Sequence, residues 1–117
     1  MSIFSKFIPI LFCVVAFVSA AHAQGRSLPA GALREGTLAN EKLIRDAKMG
    51  VAAKVAVLGC SKPETLQPFV LAAPTGKIGS RHWKEQWVIG GCGKTYPITI
   101  DFMEDGQNAA IWTIRDR

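Results

Sequence analysis

The stretch from Arg81 to Lys94 constrains this chain more than any other. Arg81, Trp83, Glu85, Trp87 and Ile89 alternate with His82, Lys84, Gln86 and Val88, and the run ends in Gly90-Gly91-Cys92-Gly93-Lys94. Alternation with period two sends successive side chains to opposite faces of a strand. Large aromatic residues favour that conformation. One face of the strand therefore carries two indoles and a carboxylate, and the other is largely polar. Such a strand needs paired neighbours and a cover for its apolar face.

The front of the chain is not expected to provide them. Met1 to Lys6 is a short segment with one positive charge, Phe7 to Val18 is apolar except for Pro9, and Ser19 to Ala23 are small apart from His22. Ala21 and Ala23 occupy the minus-three and minus-one positions of a cleavage site. Residues 1–23 read as a secretory signal peptide, with Gln24 the first mature residue. The apolar run is shorter than the about 20 residues of a membrane span, so no stable membrane insertion is expected after cleavage. Cys13 lies inside the apolar run rather than at its end, which argues against a lipid acceptor. The expected localisation is periplasmic or secreted, an oxidising setting in which paired cysteines bond. With Cys13 removed, Cys60 and Cys92 have one possible pairing.

Cleavage removes Lys6 alone among the charged residues, so the formal charge falls from +5 to +4. The basic residues are scattered, which suits solubility and allows a weak attraction for anionic partners. A chain of this length forms one small domain, for which a disulfide is a sizeable contribution.

Residues 24–36 contain Gly25, Pro29, Gly31 and Gly36 and read as a flexible linker, followed by a single domain over 37–117. Thr37 or Asn40 caps a helix. Leu43, Ile44, Ala47, Val51, Val55 and Leu58 recur at helical spacing and make its apolar face. Gly50 weakens the middle by about 1 kcal/mol, which allows a break there with Val51 to Leu58 as a strand, although the alanines favour continuous helix; Gly59 stops the helix. Apolar residues from Gln67 to Ala73 form a strand at an edge or after Pro68. Pro74 to Gly79 is a loop. Tyr96–Met103 and Ala109–Arg115 are further strands joined by a hairpin over 104–108. The expected fold is α+β: one N-terminal amphipathic helix on a three- to four-stranded antiparallel meander, pinned by Cys60–Cys92.

Familiar catalytic patterns fit poorly. Gly90 to Thr95 ends in Gly-Lys-Thr like a phosphate-binding loop, but Val88 stands where that motif needs glycine and a strand follows where it needs a helix. His82 is the one histidine left after cleavage, without a nucleophile-elbow pattern around any serine. Asp101, Glu104 and Asp105 cluster near the hairpin, but not at the spacing of a calcium loop. Glu85 sits between two tryptophans, where an apolar setting invites an acid–base role, yet no second group accompanies it. The reading is therefore of no enzyme, no cofactor and no metal.

Trp83, Trp87, Arg81 and Lys84 could stack on nucleic acid, but the compartment argues for no nucleic acid and for a protein partner in the cell envelope. The candidate contact surface is Arg81, His82, Lys84 and Gln86. The expected function is a non-enzymatic binding or accessory module of the envelope. The alternatives are a secreted inhibitor or effector presenting Pro74–Gly79 or the hairpin tip, and a small hydrolase using Glu85 or His82.

Overall fold

In a computed structural model of the protein, residues 28–107 and 109–115 are described. The expected signal peptide lies outside them. In chain order the elements are β1 (Arg34–Glu35), α1 (Glu41–Val57), β2 (Pro63–Thr75), β3 (His82–Gly91), β4 (Lys94–Glu104) and β5 (Ala110–Ile114). The strands form one five-stranded sheet in the order β1-β2-β3-β4-β5, antiparallel throughout. The α+β class and the meander agree with the sequence reading. The strand count does not: there are five rather than three to four. The helix is also not the N-terminal element, because β1 precedes it.

The extra strand lies where a linker was expected. Arg34 and Glu35 pair with Val70 and Phe69, and the Gly36 N–H donates to the Pro68 carbonyl at 2.9 Å. Two residues without apolar periodicity give no strand signal, and the pairing is supplied by β2. Strand β2 also runs further than Gln67–Ala73, passing through Pro68. A proline is tolerated there because its missing N–H costs nothing on the side where its carbonyl alone is used.

Helix α1 starts at Asn40, whose side-chain oxygen accepts the Leu43 N–H at 2.8 Å. It ends in a Schellman arrangement. Gly59, at φ 114°, donates to Ala56 O, and Cys60 N donates to Val55 O. That turn delivers Cys60 to the sheet. Leu43, Ala47, Val51 and Val55, each four residues apart, are buried against Trp83, Trp87, Ile89, Ile98, Ile100 and Phe102. Leu58, assigned to the apolar face by periodicity, is the C-cap and stands half out of the protein, because the helix ends there.

The disulfide Cys60–Cys92 forms, with 5.8 Å between the Cα atoms. Closing a loop with a sequence separation of 32 contributes ~3–4 kcal/mol in the chain-entropy model. Cys92 and Gly93 are the two residues between β3 and β4, at φ 53° and 72°. Both centres at positive φ match the type I′ hairpin turn. Gly91 has a different purpose: a Cβ there would lie 2.8 Å from the Lys62 carbonyl and 3.1 Å from Cys60 Sγ.

Gly50 is not a fracture point, since α1 runs through it unbroken. A Cβ at this position would fall 2.2 Å from the ring edge of Trp112. The glycine is the notch in which the β5 indole sits, a contact that helical periodicity cannot reveal. Gly50→Ala gains about 1 kcal/mol of helix propensity and loses about 1–3 kcal/mol to overpacking. Urea titration is expected to show net destabilisation in the native background. In a Trp112→Leu background the same substitution is expected to become neutral or stabilising.

Candidate functional site

The alternation of β3 divides the functional candidates between two environments. Trp83, Glu85, Trp87 and Ile89 face α1, with the carboxylate among indoles. Glu85 is fully buried, as is Trp87, and Trp83 is 8% exposed. The spacing Trp-x-Glu-x-Trp places all three side chains on one face. The Trp83 indole N–H donates to Glu85 Oε2 at 2.7 Å, and that of Trp87 donates to Oε1 at 2.8 Å. The Leu38 backbone N–H adds a third bond to Oε2 at 2.9 Å. Leu38 lies just ahead of the helix cap, so the carboxylate ties the entry of α1 to the centre of the sheet. Trp83 and Phe102 stack with ring centroids 5.1 Å apart, roofing the same pocket. Three neutral donors aimed at one carboxylate make a structural anchor.

Burial of both tryptophans removes the aromatic argument for recognition. The indoles are core. Glu85, for which the sequence showed no partner group, finds its partners on its own strand and on the segment before α1. The Trp-x-Glu-x-Trp signal was present in the sequence; the contribution of Leu38 carried none.

The four residues of the expected contact surface are not brought together as one set. Arg81 lies on the helix side. Its Nε and Nη2 donate to Glu104 Oε1 and Oε2 at 2.7 and 3.1 Å, and its backbone N–H reaches Oε1 at 3.0 Å. The Glu104 carboxyl is drawn down from 4.5 to about 2, chiefly by the Arg81 hydrogen bond and against the opposing effect of desolvation. This pair borders a cleft of about 410 Å³ floored by Leu38, Leu43 and Trp83.

His82, Lys84 and Gln86 do share a face, the one that α1 leaves uncovered. Strand register arranges it in rows: Thr75, His82, Met103 and Ile111, then Ala72, Lys84, Asp101 and Thr113. The His82 Nε2 and Thr75 Oγ1 are hydrogen-bonded at 3.0 Å. Lys84 lies opposite Asp101, which pairs with Arg115. Met103 and Ile111, not singled out from the sequence, are 54% and 58% exposed.

The acidic cluster is dispersed. Asp101 engages Arg115, Glu104 engages Arg81, and Asp105 Oδ1 accepts the Gln107 and Ala109 N–H groups. Among the described residues no group of three His, Cys, Asp or Glu side chains is placed to hold a metal ion, and no helix is long and apolar enough to cross a membrane. Gly90 to Thr95 is the β3–β4 hairpin, with strand rather than helix after it. No protein-family model, curated protein or solved structure matches this chain.

Replacing Glu85 by Gln tests the anchor. A carboxamide offers one oxygen and one NH₂, so it must turn a donor toward at least one of the three N–H groups. A buried unsatisfied group costs about 1–3 kcal/mol, and the remaining bonds lose their charge assistance. Glu85→Gln is expected to lower the unfolding free energy by about 2–4 kcal/mol, read by urea titration of tryptophan fluorescence.

Proposed function

We propose that this chain is a non-enzymatic binding module of the cell envelope, exported by a cleaved signal peptide into the periplasm or beyond. The observation that carries this reading is the uncovered face of the sheet. It sets His82, Lys84 and Gln86 beside exposed Met103 and Ile111. Exposed apolar side chains rimmed by polar ones mark contact surfaces, and Lys84 and His82 favour a partner with acidic groups there. The role of Glu85 supports the same reading: its oxygens are engaged by three internal donors, and its side chain is shut off from solvent. The disulfide is compatible with export.

A second reading, an inhibitor or effector that presents a loop, is favoured by one feature. Ile78, in the Pro74–Gly79 loop, is 86% exposed. An apolar tip on a hairpin loop suits insertion into a target cleft.

Two variants separate the readings: His82→Glu with Lys84→Glu on the open face, and Ile78→Ser in the loop. Each is used as bait against envelope extract, with the native protein as reference. The open-face reading expects the double variant to lose the captured partner and the loop variant to keep it. The reverse pattern selects the loop reading, and capture unaffected by both defeats the two together.

A further inference from the structure

The two borders of the sheet are finished differently. On the β2 side, β1 covers Phe69 and Val70, and the remainder of β2 is guarded. Pro63, Pro68 and Pro74 have no N–H to offer an incoming strand, and the register shifts between Val70 and Thr75. Prolines and bulges are how natural sheets prevent edge-to-edge pairing.

Strand β5 forms the other border and has none of these devices. Ala110-Ile111-Trp112-Thr113-Ile114 contains no proline, glycine or charge. It pairs with β4 on one side, without a register shift, and with no strand of the described residues on the other. The phase of its free groups follows from two bonds: Arg115 N donates to Thr99 O, and Asp105 N donates to Ala109 O. Antiparallel bonding alternates, so residues 109, 111, 113 and 115 turn their backbone groups toward β4. Ala110, Trp112 and Ile114 turn theirs outward.

A second observation comes from the helix. Gly50 faces Trp112 and Ile114, so this side of α1 overlooks β5. Val57 follows two turns later, rotated by about 20° from Gly50, and is 82% exposed. Ala53, also exposed, lies between them. Bare backbone and exposed apolar side chains thus share one border.

We propose that this border is a homodimer interface in which β5 of two copies pair antiparallel about Trp112, joining the sheets into one. The outward sets are self-complementary in that register. Trp112 meets Trp112 of the second copy, and Ala110 meets Ile114, small against large. The paired strands are uncharged at the axis. Arg115 of each copy, while keeping its own Asp101, falls opposite Ala109 of the other and on the same face as Asp105, which is bonded to Ala109, so the two ends carry opposite charge. This charge arrangement favours a second copy of the chain, antiparallel, as the occupant. The interface uses a border distinct from the open face described above.

The test uses the intact chain as isolated from expressing cells, with mass by sedimentation equilibrium and amide exchange by NMR. The expected result is a dimer. Exchange at the amides of Ala110, Trp112 and Ile114 slows as concentration rises, while Ile111, Thr113 and Arg115 are slow throughout. Ala110→Pro removes an outward N–H from both copies and no β4 bond, and is expected to weaken association at least about tenfold. Should that variant fail to fold, exchange in the native chain decides. A monomer with fast exchange at the three outward amides overturns the proposal. So does a dimer that leaves them fast, or protection that arises only when a different protein is added.

Discussion

The buried carboxylate of Glu85 is the interaction on which the rest of the structure depends. Taking an ion out of water costs several kcal/mol even after relaxation. The partners of this carboxylate among the described residues are neutral N–H groups rather than a cation. Three such groups offset the cost, each through a charge-assisted bond of about 1.5–3 kcal/mol, so the arrangement comes close to break-even as stability. Its effect is on uniqueness. A slip of β3 by one residue would carry the carboxylate and both indoles together to the open face, turn His82, Lys84 and Gln86 toward α1, and break the Leu38 bond. The Leu38 bond extends the same constraint to the chain entering α1.

The helix is consequently held at three points. Its N-terminal approach is bound to Glu85, its middle is notched at Gly50 for Trp112, and its C-terminus passes through the Gly59 turn into the Cys60–Cys92 bond. Each point joins α1 to a different strand or strand end: β3, β5 and the β3–β4 turn. A small domain with one helix and one sheet has a limited core, and fastening the cover at both ends and at its centre limits the alternatives it can explore. The opposite face of the sheet is not covered by α1, and His82, Met103 and Ile111 stand exposed on it.

Much of this was legible in the sequence. The alternation from Arg81 to Ile89 located the central strand and the face its tryptophans would take. Asn40 was one of the two predicted caps, Gly59 the predicted stop, and Cys60–Cys92 the available pairing. The parts that escaped share a physical cause: they depend on contacts between elements rather than on local pattern. Arg34–Glu35 becomes a strand because β2 offers it an edge. Gly50 read as a weak point because its partner, Trp112, is distant in sequence. Arg81 is the exception: the alternation already set it in phase with the tryptophans, so grouping it with His82, Lys84 and Gln86 went against the local pattern, and Glu104 holds it on the helix side. Met103 and Ile111 looked like ordinary strand residues until the register aligned them with His82.

The central claim is that one carboxylate organises the core by binding two indoles of its own strand, and indole N–H hydrogen exchange tests it most directly. The three tryptophan Nε1–H signals are resolvable by NMR and assignable by substitution. Trp83 and Trp87 are expected to exchange slowly, near the rate of global unfolding. Trp112, half-buried on β5, is expected to exchange faster. Exchange of Trp83 and Trp87 as fast as that of Trp112 would contradict the account.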